Sequence, residues 1–223
     1  MSRPAEALHA GRATLEAQDL LHRYGHRVGL QRVSFKVSSP GVVAVRGANG
    51  SGKSTLLRIL AGLLRPSDGR AALCVDGVEI APQARSRWIG YSAPDLAFYP
   101  EFSGAENLGF AAEARGLDRP QQAVQAALER VGLEKRAQDR VGALSSGMLQ
   151  RLRLAFALLH EPLVLLMDEP GSHLDEEGRT TVADLVGREK AERLVVIATN
   201  EEREWTLADE WIELRGRGLG GPA

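Results

Sequence analysis

Little in this chain of 223 residues can form a cross-link, cross a bilayer or attract a polyanion. A single cysteine, Cys74, excludes an internal disulfide and fits a reducing compartment. The longest uninterrupted apolar run, residues 154–159, is six residues long, against the roughly 20 that a membrane-spanning helix needs. Residues 1–12 carry no apolar stretch of the signal-peptide kind. Neither sign of charge is in excess. The 28 Lys+Arg set against 29 Asp+Glu leave a net charge of −1, which excludes a generally basic nucleic-acid binder. What is present, 43% hydrophobic and 26% charged residues, is the composition of a folded soluble protein. The expectation is a cytoplasmic globular chain of one or two domains that binds no nucleic acid.

Apolar pulses recur between turn signals and alternate in kind. Val33, Phe35 and Val37 alternate with polar residues, as in a half-buried antiparallel strand. Residues 42–45, 163–167 and 194–198 are short apolar runs of the buried-strand kind, and 71–75, 88–91 and 211–214 also read as strands. Helical spacing of Leu56, Leu57, Leu60, Leu63 and Leu64 predicts a helix over 54–64 that stops before Pro66. Further helices are expected over 105–114, 120–131, 146–160 and 176–189. Strand–helix alternation at both ends predicts an α/β fold with a mostly parallel sheet and an antiparallel β portion near the N-terminus. The expected division is a core over 12–94 and 161–214, an inserted helical subdomain over 95–160, and a Gly-rich flexible tail over 215–223.

The strongest local signal is Gly47-Ala48-Asn49-Gly50-Ser51-Gly52-Lys53-Ser54-Thr55, which contains G-x-x-x-x-G-K-[ST] directly after a strand and before a helix. Its glycines let the backbone wrap a polyphosphate closely. Its N–H groups and the helix start turn positive dipole ends toward the anion. Lys53 supplies a compact cation for the β- and γ-phosphates, and Ser54 a hydroxyl for Mg²⁺. By itself the loop implies only a bound nucleoside triphosphate.

The second signal is Leu163-Val164-Leu165-Leu166-Met167-Asp168-Glu169, a buried strand ending in two carboxylates. The carboxyl ends of such strands line the ligand crevice of open α/β sheets. Asp168 is placed to hold Mg²⁺, directly or through water, and Glu169 to polarise an attacking water. A base beside a metal ligand favours hydrolysis over transfer to a bound acceptor.

Between these motifs, Leu144-Ser145-Ser146-Gly147-Met148-Leu149-Gln150-Arg151 resembles the Leu-Ser-Gly-Gly-Gln signature of the ABC-type ATPases. Tyr24 stands where that family has its adenine-stacking aromatic residue, and Ser172-His173-Leu174-Asp175 resembles its D-loop. Ile89-Gly90-Tyr91 and the stretch from Tyr99-Pro100-Glu101 to Glu106-Asn107-Leu108 are similar to the family's junction of core and helical subdomain. The resemblance covers residues 12–214 and is to the nucleotide-binding subunit of an ABC transporter. It implies a Mg²⁺-dependent ATPase working as a head-to-tail dimer, homomeric or pseudo-symmetric. ATP would lie between one copy's 47–55 loop and the other copy's Ser145, Ser146 and Gly147, with Asp175 at the dimer contact. It also implies separate membrane permease chains, docked near 94–106 with Phe98, Tyr99 and Phe102 as aromatic anchors, and a location on the inner face of the cell membrane. Ser145 equally reads as the N-cap of the helix that follows, and both readings can hold at once.

Two expected groups are missing. Pro94 stands where the family has a glutamine that touches Mg²⁺ and water, with Asp95 as a candidate substitute. Asn200 stands where the family has a histidine that contacts the γ-phosphate. An amide still donates a hydrogen bond but carries no charge. The expectation is normal binding of ATP with slow hydrolysis. The alternative is an ATP-gated clamp or regulator with little turnover. A P-loop kinase lacks the 144–147 segment. The compact chain and the Ser145-Ser146-Gly147-Met148 variant loosely resemble haem-exporter-type export ATPases.

Overall fold

The computed structural model describes residues 11–172 and 174–214. Two sheets organise it. Strands β1 (Ala13–Tyr24) and β2 (Arg27–Ser38) form a long hairpin closed at Gly25, whose φ is +59°. After β3 (Gly41–Arg46) and helix α1 (Lys53–Leu60), strands β4 (Asp68–Val75) and β5 (Val78–Ile80) complete an antiparallel sheet in the order β2-β1-β4-β5. Strand β6 (Ile89–Ser92) precedes helices α2 (Gly104–Ala114), α3 (Pro120–Arg130) and α4 (Ser146–Leu158). The chain continues as β7 (Val164–Asp168), α5 (Glu176–Glu189), β8 (Leu194–Ala198), α6 (Glu202–Trp205) and β9 (Glu210–Glu213). Strands β6, β7, β8, β3 and β9, in that spatial order, make a fully parallel sheet.

Every residue of β7 and β8 is buried, which is why both read as uninterrupted apolar runs. One face of the parallel sheet packs with α1 against the antiparallel sheet, through Leu15, Leu20, Val45, Leu56, Leu166 and Val196. The other face packs on the helices, through Leu108, Leu128, Leu152, Leu165, Val186 and Ile197. The sheet thus carries a buried layer on each side. Its carboxyl edge is left to present the loops after β3, β7 and β8.

Helix α1 ends four residues earlier than its leucine spacing predicts. Gly62 adopts φ +79°, donates to Ile59 O at 3.0 Å, and lets Leu63 N–H reach Arg58 O at 2.9 Å. That is a Schellman C-cap, a stronger stop than Pro66. A Cβ at Gly62 would also lie 2.5 Å from Pro82 O. Arg85, 2% exposed in a 3₁₀ turn (Pro82–Arg87), completes the cap. Its guanidinium donates to Ile59 O and Leu60 O, each at 3.2 Å, and to Ala71 O at 2.6 Å. Three carbonyls, two at the end of α1 and one in β4, therefore share one buried cation. We expect Arg85→Ala to cost about 3 kcal/mol, from lost charge-assisted bonds and stranded acceptors. Urea unfolding measures this; a loss below about 1 kcal/mol would reduce Arg85 to a surface-like role.

The middle of the chain is less uniformly helical than expected. Residues 93–103 form turns before α2, whose start is a capping box. Ser103 Oγ accepts from Glu106 N–H, and the Glu106 carboxylate accepts from Ser103 N–H at 2.7 Å. The expected tail over 215–223 lies outside the described residues.

Candidate functional site

Three strand ends meet at the carboxyl edge of the parallel sheet. Strand β3 delivers the glycine loop, β7 the Asp168–Glu169 pair and β8 the Thr199–Asn200 pair, because β7 and β3 both flank β8 in the sheet. The loop closes on itself through Ser51 N–H to Ala48 O at 3.0 Å. Gly52 begins α1 at φ +108°, and a Cβ there would lie 2.5 Å from Gly29 O. Only glycine meets both demands.

A cavity of about 350 Å³ opens above the loop. It is lined by Tyr24, Asn49, Gly50, Gly52, Lys53, Ser54, Thr55 and Glu169, all expected, and by Arg27, Gly29 and Arg58, which were not. Arg27 and Arg58 are single cations on a strand and on a helix, with no motif spacing to mark them. Tyr24 keeps 47% of its surface exposed while its hydroxyl lies 3.3 Å from Thr55 Oγ1, so an aromatic face remains for stacking. Gly47 and Asn200 border an adjoining depression. Ser51 turns its side chain into the protein and is 4% exposed.

Where the cavity meets this depression, the Lys53 ammonium donates to Gly47 O at 2.9 Å and to Asn200 Oδ1 at 2.7 Å, and lies 3.5 Å from the Glu169 carboxylate. The amide of Asn200 also donates to Asn49 Oδ1. Both ends of the Asn200 amide are thus engaged by the loop's own residues. Glu169 is held in the left-handed region at φ +49°, and its N–H donates to Ala198 O at 2.8 Å. This bond ties the carboxylate-bearing turn to β8.

Asp168 is 3% exposed. Burial pushes its carboxyl above the usual carboxylate range, while a hydrogen bond with the Ser54 side chain pulls it back. Its Oδ1 is buried without a hydrogen-bond partner among the described residues. An orphaned carboxylate oxygen beside a hydroxyl is the donor set of a hard divalent cation such as Mg²⁺. The residues therefore fit that metal.

The remaining candidates lie elsewhere. Ser145, Ser146 and Gly147 do not line the cavity. Ser145 caps α4, accepting from Met148 N–H at 3.2 Å, and Asp175 caps α5, accepting from Gly178 N–H at 2.9 Å. His173 lies outside the described residues. Pro94 is exposed, and Asp95 does not line the cavity itself: its carboxylate pairs at 2.7 Å with Arg58, which does, and it borders a neighbouring groove with Tyr91, Leu96, Arg115 and Phe156. Nearby, Tyr99, Phe102 and Phe110 are 64%, 41% and 46% exposed and meet edge to face.

Residues 30–172 match the ABC transporter family. The chain is 39% identical over 188 residues to an uncharacterized ABC transporter ATP-binding protein of Bacillus subtilis, covering 83% of this chain and 62% of that protein. It is 35% identical over 209 residues to a putative ABC transporter ATP-binding protein of Halobacterium salinarum, covering 90% and 89%. Among solved structures, a dimeric bacterial ABC transporter cassette superposes with a TM-score of 0.79 at 22% identity, covering 90% of this chain and 94% of that one.

Proposed function

The chain belongs to the ABC transporter family, and from that premise we propose that it binds Mg²⁺-ATP and hydrolyses it slowly, as one half of a head-to-tail dimer that drives separate membrane permease chains. The observation that carries this reading is the junction of the cavity with the adjoining depression. There Lys53, Glu169 and Asn200 converge beside Asp168 and Ser54, with one Asp168 oxygen buried and unsatisfied. Lys53 and the loop amides hold the phosphates. Ser54 and Asp168 hold Mg²⁺, which when bound neutralises charge on the β- and γ-phosphates. Glu169 accepts a proton from the attacking water. Tyr24 stacks on adenine, and Arg27, its register partner across the β1–β2 hairpin, lines the same cavity.

The second copy supplies Ser145, Ser146 and Gly147 at the start of its α4, where a helix N-terminus suits the γ-phosphate. Asp175 lies in the segment that crosses the dimer contact. No helix among the described residues is long and apolar enough to cross a membrane. In this reading coupling to transport runs through membrane permease chains, and the exposed Tyr99–Phe102–Phe110 cluster supplies aromatic anchors for them. That docking would place the chain on the inner face of the membrane.

Calorimetry of Mg²⁺-ATP with the purified chain, followed by a phosphate-release assay, tests the reading. Binding with turnover below the roughly 10 s⁻¹ of a median enzyme is expected; absence of binding heat overturns it. The slow rate is assigned in part to Asn200, which donates without charge. Asn200→His is expected to raise kcat on the order of 10-fold, a fraction of the 10²–10³ that a whole donor contributes. An unchanged kcat would clear Asn200 of limiting the rate.

A further inference from the structure

Away from the cavity, one buried acid has no role in the chemistry so far. Glu204, on α6, is 8% exposed. The Thr199 side chain and the Gly171 backbone both hydrogen-bond its carboxyl, and its Oε2 is buried with no hydrogen-bond partner among the described residues. A Cβ on Gly171 would overlap Glu204 Oε1. Thr199 immediately precedes Asn200 and is 0% exposed. Its hydroxyl oxygen accepts from Glu201 N–H at 3.0 Å, which leaves the hydroxyl proton for Glu204. Gly171 follows Glu169 by two residues and opens the segment that leads to Asp175.

We propose that Glu204 is a positioning residue: it clamps the Asn200 segment to the turn after Glu169, so that the two side chains facing the γ-phosphate are held in one register. The inference rests on the reading of the cavity as an ATP site and adds to it a link between that site and the 171–175 segment. Three features support it. A backbone bond joins the two segments at their base, Glu169 N–H to Ala198 O, and Glu204 closes the other end of the same loop pair. No residue larger than glycine fits at 171 while the carboxyl is in place. The surroundings on balance favour an uncharged acid, although the Thr199 and Gly171 hydrogen bonds themselves favour the ionised form. Burial, then Glu201 and Glu169, push the Glu204 carboxyl up to about 7. From α5, Arg179 lies 3.7 Å from Glu201 rather than on Glu204.

Turnover is measured at pH 6.5 and pH 8.5 for wild type, Glu204→Ala, Glu204→Gln and Gly171→Ala, alongside fluorescent-nucleotide binding. Glu204→Ala is expected to lower kcat about 10-fold with KM for ATP within about twofold, the pattern of lost positioning rather than lost binding. Glu204→Gln, neutral and of equal length, restores most of that loss. It also lacks the decline of about threefold or more that wild type shows on the alkaline side as Glu204 ionises beside Glu201 and Glu169. Gly171→Ala lowers kcat like Glu204→Ala and has no further effect in the Glu204→Ala background.

A Glu204→Ala kcat within about twofold of wild type overturns the proposal, as does a Glu204→Gln pH profile that superimposes on wild type, or full additivity with Gly171→Ala. Where Glu204→Ala does not fold, the other two variants decide. A wild type that binds no nucleotide overturns the ATP reading itself. A wild type that binds ATP without ever turning it over leaves Glu204 nothing to position and overturns this inference alone.

Discussion

Glu169→Gln is expected to lower kcat by about 10²–10³ while leaving ATP affinity nearly unchanged. Gln has the shape of Glu and keeps its hydrogen-bonding reach, but it cannot take a proton from water. The left-handed backbone at residue 169, the N–H bond to Ala198 O and the contact with Lys53 can all survive the exchange. What is lost is the base that the proposed reaction assigns to residue 169. The second consequence is assembly. On the proposed reading, a site that binds Mg²⁺-ATP and cannot consume it would keep the γ-phosphate between the loop at 47–55 and the partner copy's helix start at Ser145. The variant should therefore elute at twice the monomer mass with Mg²⁺-ATP and as a monomer with ADP. A kcat within about threefold of wild type would remove Glu169 as base. A monomeric variant at high concentration with ATP would remove the shared site.

The fold was legible wherever local chemistry and tertiary demand agree. Residues 194–198 and 176–189 form β8 and α5 as expected, because an apolar run buried on both faces and an Asp-capped polar helix each carry one unambiguous pattern. The glycine loop was legible because polyphosphate chemistry fixes spacing as well as residue type. Strand β1 was missed. Its alternation breaks between Ala17 and Leu20, where the register shifts and Asp19 adopts φ +47°, so no period of two survives along its length. The end of α1 was misplaced because leucine spacing continues past Gly62, and the Schellman cap outweighs it. In the site, the sequence could name Lys53, Asp168 and Glu169, but not that Asn200 would hold Lys53 and Asn49 together. That contact spans 147 residues and depends on β8 lying beside β3. Arg58, Arg85 and Glu204 were invisible for the same reason. Each acquires meaning from elements distant in the chain, and none sits in a spacing that marks it.

The largest stability effect is expected at the opposite end of the sheet. Arg193 is 3% exposed at the entry to β8. Its guanidinium donates to Pro162 O at 2.5 Å and to the Glu161 carboxylate at 3.2 Å, and its Nε lies 2.6 Å from Glu189. Arg130 reaches the same Glu161 from α3 at 2.8 Å. One buried cation thus joins the end of α5, the start of β8 and the turn before β7, with the helical segment attached through Arg130. Removing it strands Glu189, whose carboxyl burial already pushes above the usual range. Breaking a buried pair in this way costs about 3–5 kcal/mol, and Arg193→Met should fall in that range although it fills the space. The sign of the pH dependence follows. A carboxyl whose folded pKa is raised destabilises the fold as pH climbs through and above its ordinary value, because the unfolded chain ionises first. The penalty of Arg193→Met should therefore be smaller near pH 5 than at pH 8. Arg193→Met combined with Glu189→Gln should recover much of the loss at pH 8, since the stranded charge is gone. Chemical denaturation at both pH values measures all three quantities. A pH-independent loss, unrelieved in the double variant, would assign Arg193 to packing and its bond to Pro162 O rather than to charge.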